Sequence, residues 1–562
     1  MAAPHASHHP EAPSSDGSEP HLATVLEAVA QSQPEQTALV CGDVVRTWSE
    51  FDDRAARLAT LLQQAPLTLH GSVGICMRNA NEYLETYFAA LKVRGVPTSI
   101  NYRYAEDELV ALLVDCACEV LVFGAAFADR VEAVRDRVPS LRLLLMVQDG
   151  TDGGAAPLPP GARDYEEELR AAAPAAPIER SGSDPLVAYT GGTTGLPKAL
   201  TYPVASRVQG RVPEFAGLVG LPDPGVPTFV DAARLFAERG QRPVGLPASP
   251  LMHNTALVTC ALPSLLFGGF VVTVPTPRFE PSRVWVEVER WGVTSMSIVG
   301  DAMGRPLLQA LEERGLPTGH AAPSLTTITS SGMAWNATTK TGLLAHLPQV
   351  QLVEVFGATE GLMGNNRWTK DTPVTSTPRF TPVPGLRILR DDDTEAPDGE
   401  SGRIAFPVGD AVHYRGDPEK TASTFRIVDG RRYAILGDLG RRLPDGTLEP
   451  LGRGSQVVNT GGEKVYPAEV EDIVRGLEGI TDCLVVGVPD PTWGQRLAAV
   501  AARSSEAVTA DLVRDAVRAR LAGYKVPKDV VFVPTVPRFP NGKPDVAGAA
   551  EIARAATAPA TS

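Results

Sequence analysis

The sequence predicts an α/β protein, with a large multi-layer N-terminal domain of mostly parallel sheets followed by a small α+β C-terminal domain. Three observations predict it. From about residue 21 to 450, helical periodicities alternate with short apolar strands, the pattern of layered α/β domains. After 450 the order changes to hairpin, helix, two strands, helix and strand. The third is a glycine- and threonine-rich loop that directly follows the apolar Leu186-Val187-Ala188. A chain of 562 residues is long enough for more than one domain.

Residues 1–20 are rich in Ala, Pro, Ser, Gly and His and predict a disordered tail. A helix is expected near 82–93, with strands at 119–123 and 142–147. Ala256 to Val274 carries no charge, yet Pro263 and Gly268-Gly269 interrupt it. It therefore reads as a buried helix (255–267), a turn and a buried strand (270–275) rather than a membrane span. Leu443-Pro444-Asp445-Gly446-Thr447 reads as a hairpin turn. Pro467 opens a helix over 467–477, with Glu469 and Glu471 near its positive end. Strands at 483–488, 496–502 and 530–533 and a helix at 509–521 complete the small unit, and the Ala-rich end is expected to fray. The domains are thus 21–453 and 454–562.

A net charge of −14 argues against a nucleic-acid carrier. Six scattered cysteines form no C-x-x-C pair, which points to a reducing cytoplasm. No basic segment followed by an apolar core opens the chain, so no signal peptide is expected. Only nine of the 52 basic residues are lysines. Lysines inside glycine-rich loops therefore stand out: Lys198, Lys464 and Lys543.

The loop Thr190-Gly191-Gly192-Thr193-Thr194-Gly195-Leu196-Pro197-Lys198 suits a polyphosphate. Glycines let backbone N–H groups turn toward an anion, hydroxyls add donors, and lysine adds charge. Its spacing is not that of a Walker A loop.

Four distant segments align with it in order: Val355-Phe356-Gly357-Ala358-Thr359-Glu360, Gly437-Asp438, Gly452-Arg453 and Gly542-Lys543. Together they resemble the adenylate-forming superfamily, which contains acyl- and aryl-CoA synthetases, firefly luciferases and nonribosomal-peptide adenylation domains. The resemblance covers about residues 25–545. It implies a two-step reaction. A carboxylate attacks the α-phosphate of Mg2+·ATP to give an acyl-adenylate and pyrophosphate, and the thiol of coenzyme A then displaces AMP. In that family the small C-terminal domain is mobile and rotates between the steps.

The resemblance also implies roles. Thr190, Gly191, Gly192, Thr193, Thr194, Gly195 and Lys198 would hold the β- and γ-phosphates, with Thr194 acting in catalysis. Charge-assisted hydrogen bonds of roughly 1.5–3 kcal/mol each would offset desolvation of the triphosphate. The loop departs from the commoner form, with Gly191 where serine is frequent and Ala199 where glycine is frequent. Gly332, Met333 and Ala334 would line one adenine wall and Phe356 the other, with Gly357, Ala358 and Thr359 beside it. Glu354 would accept from the adenine amino group, although a shorter Asp or Asn is commoner there. Glu360 would bind magnesium, because a hard cation takes such an oxygen. Asp438 would accept the ribose hydroxyls, and Arg453 would reach ribose or phosphate. Lys543 would stand between the carboxylate and the α-phosphate, two anions that repel. A unit-charge contact at about 4 Å is worth about 4 kcal/mol at an effective dielectric near 20, which corresponds to about 10³ in rate.

His253 would border the acyl and pantetheine channels and gate the route between carboxylate and thiol. The acyl pocket is placed at His253, Gly300, Asp301, Ala302, Gly357, Ala358 and Gly361, whose mostly small side chains leave room for a wide ligand. Gly461 and Gly462 would line the coenzyme A tunnel, Lys464 would neutralise a CoA phosphate, and Trp493 would flank the CoA nucleotide. Ser455 stands where the family's hinge usually carries Asp or Lys.

The stretch 249–262 holds no acid to pair with an α-ammonium, which favours a CoA thioester over amino-acid loading. Ile298-Val299-Gly300-Asp301-Ala302 with Arg305-Pro306, and Asn101-Tyr102-Arg103-Tyr104, look like actinobacterial ligases for steroid or terpenoid acids. A small-molecule carboxylic acid, bulky and polycyclic, is the expected substrate. Medium- or long-chain fatty acids and a carrier-protein thiol are the alternatives. A luciferase-like oxidase and a catalytically silent nucleotide-binding module are rivals from other classes. A homodimer is compatible with the sequence.

Overall fold

The computed structural model describes residues 20–149, 156–191, 197–315, 321–332, 335, 337–372, 379–453, 458–465, 467–538 and 545–557. Two large sheets form the body of the N-terminal region. The larger has nine strands. Its centre is parallel and runs in space through Gln351–Ala358, Thr327–Ser331, Ser295–Ile298, Val244–Pro247, Phe270–Thr273 and Thr37–Cys41. Antiparallel strands close both edges, with Gly361–Trp368 and Thr381–Pro382 at one and Val44–Thr47 at the other. The second sheet has five parallel strands centred on Ser72–Cys76 and Cys118–Gly124. These central strands are buried over nearly their whole length, as expected where helices cover both faces of a parallel sheet. Trp48, Trp285, Phe51, Phe88 and Phe267 fill the space between sheets and helices.

Two antiparallel sheets stand at the carboxyl ends of the large sheet. One is a three-stranded group in which Pro185–Gly191 pairs with Pro197–Pro203 and the latter with His413–Tyr414. The first two of these strands are the ones that precede and follow the Thr/Gly loop in sequence. The other is a five-stranded sheet that carries Arg431–Arg442 and Leu448–Arg453. The predicted turn at 443–447 joins these two strands, with Gly446 N–H donating to the Leu443 carbonyl over 2.8 Å.

A separate five-stranded sheet, with its own apolar core around Val465, Val470, Val485 and Val513, is built from residues 458–533. Helix Pro467–Arg475 lies where proline and acidic residues predict it. The Ala-rich end is not frayed over its described part. Val546–Thr557 is a helix, and Ala549, Ala550 and Ala553 pack against Leu484, Val486 and Val500. Alanine favours helix strongly, and its small side chain lets the helix approach the sheet closely.

The uncharged stretch after residue 253 is helical and buried, with a turn and a strand after it. Its helix is not uniform. Asn254–Ala256 is α-helical, Leu257–Ala261 widens into a π turn, and Leu262–Leu266 returns to α. Among the described residues no helix is long and apolar enough to cross a membrane.

Candidate active site

A cleft of about 1310 Å³ opens at the carboxyl ends of strands Thr327–Ser331 and Gln351–Ala358, where ligands bind in open α/β sheets. The C-terminal unit closes its mouth with Gly461, Gly462, Glu463, Trp493, Tyr524 and Lys525.

The closure is built by steric fit and by charge. Gly461 and Gly462 take positive φ angles of 60° and 83°, a region open chiefly to glycine. A Cβ on Gly462 would stand 2.3 Å from Val299 Cγ1, and one on Gly461 would stand 2.7 Å from the Trp493 ring. Only a chain without side chains passes here. Asn459 Nδ2 donates to the Gly332 carbonyl over 2.6 Å, which ties the two units beside the expected adenine wall.

Glu463, one residue on, is buried and accepts from Arg103 Nη1 over 2.7 Å, with His253 Nε2 at 3.0 Å from the same oxygen. Burial pushes its pKa upward, but His253, Arg103 and Lys525 outweigh burial and hold the carboxyl below its usual range. Lys525 makes a second clasp. Its Nζ lies 2.6 Å from Glu108 Oε1 of the larger unit and 2.8 Å from Glu469 Oε2 of the smaller. Burial lowers the Lys525 pKa, but the two carboxylates raise it above the ordinary lysine value.

On the hairpin Gln351–Ala358/Gly361–Trp368, residues Gly357, Ala358, Thr359, Glu360 and Gly361 all face the cleft. Tyr414 donates its hydroxyl to Glu360 Oε1 over 2.6 Å. Phe356 is half-buried and does not line the cleft; it stacks on Phe380, with centroids 5.1 Å apart. Asp438 is buried and pairs in register with Arg453. Lys198 leads out of the Thr/Gly loop and is held 2.5 Å from Asp417 Oδ2, while Asp417 Oδ1 accepts from the Lys420 N–H and caps helix Pro418–Thr424. His253 lines the cleft at the start of the buried helix.

Two expectations are corrected. Glu354 does not face the cleft. Strand alternation points Val353 and Val355 into it, while the Glu354 carboxylate forms a buried pair with Lys340 Nζ. A glutamate in that position is neutralised in the core and is not offered to adenine. Of the acyl-pocket residues, Ala302 lines the cleft beside Val299 and Met303, but Gly300 and Asp301 stand behind that wall. The Gly300 N–H donates to Ser330 Oγ over 2.9 Å, and Asp301 is buried at the start of helix Gly300–Glu313.

Gly192, Thr193, Thr194, Gly195, Met333, Ala334 and Lys543 lie outside the described residues, as do the side chains of Thr190, Arg453 and Lys464. Among the described residues no three metal-ligating side chains cluster.

Sequence reasoning missed Glu463, Lys525 and Glu108. The first two could have been found: Glu463 sits inside the glycine-rich segment already singled out, and Lys525 is another of the scarce lysines, two residues after a glycine. Glu108 has no such signal.

Fold and cleft together define a nucleotide-using enzyme of two units. The AMP-binding enzyme family matches residues 26–407, and the AMP-binding enzyme C-terminal domain matches 469–543. The chain belongs to this family. It is 34% identical over 536 residues to a 3-oxocholest-4-en-26-oate–CoA ligase of Rhodococcus rhodochrous, covering 93% of this chain and 94% of that one. It is 33% identical over 551 residues to a medium/long-chain-fatty-acid–CoA/3-oxocholest-4-en-26-oate–CoA ligase of Mycobacterium marinum, covering 94% and 96%. Among solved structures, the amide bond synthetase McbA from Marinactinospora thermotolerans shares the fold, with a TM-score of 0.73 and 21% identity over 94% of this chain and 99% of that one.

Proposed function

We propose that this AMP-forming acyl-CoA ligase acts on a bulky polycyclic carboxylic acid of steroid or terpenoid type. ATP and the acid give an acyl-adenylate and pyrophosphate, and coenzyme A then takes the acyl group and releases AMP. The observation that carries the reading is the docked glycine pair. Gly461 and Gly462 pass between Val299 and Trp493 at the mouth of the cleft. Such a close approach leaves bare main chain as the wall of the cleft mouth, which suits a narrow thiol arm entering beside it.

In this reading Glu360 holds magnesium against the phosphates, and Asp438 accepts from the ribose. Gly332 flanks the adenine, and the loop 190–198 cradles the phosphates with Thr194 in the catalytic role. Lys543, carried by the mobile unit 454–562, serves the first step. Arg453 reaches ribose or phosphate, and Lys464 and Trp493 serve the coenzyme. His253 stands between the acyl and thiol routes. The size of the cleft and the names of the relatives support a wide acid. The second of those names also supports a medium- or long-chain fatty acid as alternative substrate. A cytoplasmic location and a homodimer complete the reading; fractionation and light scattering test them.

The deciding experiment offers ATP, magnesium and coenzyme A with matched panels of polycyclic and straight-chain acids, scored by mass of the CoA thioester. Thioesters of polycyclic acids are expected. Turnover of straight chains alone removes the polycyclic assignment, and thioester formation only on a carrier protein removes coenzyme A.

A further inference from the structure

One end of the cleft is cationic, and neither the adenylate chemistry nor the coenzyme uses it. Arg207, Arg211 and Arg367 all line the cavity, together with Tyr202 and a single carboxylate, Glu214. Arg211 lies 2.5 Å from Glu214 Oε1. Arg207 has no carboxylate within ion-pair distance among the described residues. It lies over the Tyr202 ring at 4.5 Å and donates to that tyrosine's hydroxyl. Arg367 donates to the Gly217 carbonyl over 3.2 Å and to Gln351 Oε1 over 2.5 Å, both neutral acceptors. The helix Val212–Leu218 gathers the group, since Arg211 precedes its first turn and Gly217 lies in its last. At 1.5 Å per residue these positions are about 9 Å apart. Three guanidiniums therefore share one carboxylate. The Nε atoms of Arg207 and Arg211 are buried and have no acceptor among the described residues.

This end is remote from the reacting carboxyl. Arg367 stands six positions along its strand from Gly361, which is beside the Glu360 turn. Strand Pro197–Pro203 likewise runs six steps from the Thr/Gly loop toward Arg207. At about 3.3 Å per residue, each path covers about 20 Å. An apolar tail reaching this far would leave buried guanidinium donors without acceptors, which is costly. An oxygen acceptor would satisfy them, and a guanidinium fork suits a ketone or carboxylate.

We propose that Arg207 and Arg211, with Arg367 beside them, bind a hydrogen-bond-accepting oxygen at the far end of the acid. The enzyme thus selects acids oxygenated at both ends. This rests on the ligase reading above.

The test compares two pairs of acids with purified enzyme. One pair is cholest-4-en-26-oic acid with and without a 3-oxo group; the other is dodecanoic and dodecanedioic acid. The oxygenated member of at least one pair is expected to show a kcat/KM higher by about tenfold or more, carried by KM. The pair that shows it tells ketone from carboxylate. In Arg207→Met and Arg211→Met the preference is expected to fall toward unity. Equal kcat/KM within both pairs, or a preference that survives both substitutions, overturns the proposal. Dissociation constants of the unaltered enzyme for the same acids give a second readout that needs no variant to fold. If no acid supports pyrophosphate exchange, the ligase reading itself fails, a result distinct from turnover without preference.

Discussion

His253 and Glu463 meet across the cleft, with His253 Nε2 3.0 Å from Glu463 Oε1. One belongs to the large unit at the start of the buried helix, and the other belongs to the glycine loop of the small unit. Arg103 joins the same oxygen. The residue expected to gate acyl and thiol routes is thus held by the loop expected to guide the thiol.

Glu463→Gln removes the charge and keeps the shape. Hydrogen bonds to charged groups contribute about 1.5–3 kcal/mol, so the docked arrangement weakens by about 10- to 100-fold. Thioester formation from added acyl-adenylate and coenzyme A is expected to fall accordingly, while ATP–pyrophosphate exchange falls less. Equal loss in both half-reactions would show that Glu463 serves folding alone.

Gly462→Val meets Val299 head-on, because even a Cβ would lie 2.3 Å from Val299 Cγ1. Pyrophosphate exchange is expected to persist, with CoA-dependent AMP release reduced by about two orders of magnitude or more, the scale of misplaced reacting groups. Stopped-flow AMP detection separates the two steps.

Docking also depends on pH, and the two clasps set opposite limits. Glu463 has a lowered pKa, so its contribution is full above the ordinary glutamate value near 4.3 and is lost as pH falls through the lowered one. Lys525 has a raised pKa, so its contribution is full below the ordinary lysine value near 10.4 and is lost as pH rises through the raised one. Fluorescence transfer between labels on the two units should change as pH falls below about 5 and again as it rises beyond about 10.

The Lys340–Glu354 pair is buried on both sides, with side chains 3% and 7% exposed. Lys340→Met leaves a carboxylate buried alone, which typically costs 3–5 kcal/mol. Urea unfolding should show a loss of that order. Lys340→Met with Glu354→Leu should recover most of it, since an apolar pair of similar volume is often neutral.

Lys543→Ala tests the catalytic assignment. Acyl-adenylate formation is expected to drop by about 10³, the factor assigned to one well-placed charge. Thioester formation from supplied acyl-adenylate should survive. An undiminished first step moves the role to another residue.

Much of the fold was legible because its signals are local. Alternating apolar runs gave the parallel strands, Pro467 and its acidic neighbours gave a helix start, and Asp445-Gly446 gave a hairpin turn. The Ala-rich end was misread because its partner, the sheet around Val486, is distant in sequence. The site was legible where chemistry concentrates in a short motif, as at 357–361. It failed at Glu354, where one extra methylene relative to Asp lets the carboxylate reach Lys340, a pairing no motif reveals. The clasps between the units were hidden for the same reason: Glu108 and Lys525 lie 417 positions apart.

The π turn at Leu257–Ala261 has its own consequence. Such turns amount to one residue threaded into an α-helix, and they recur at functional sites. Deleting one residue within 257–261 should restore regular winding at the cost of repacking its buried side chains. It would also swing everything upstream by about 100° about the axis, aiming the imidazole of His253 into the protein's flank. The irregular coil is a compass setting, and straightening it leaves the imidazole pointing the wrong way.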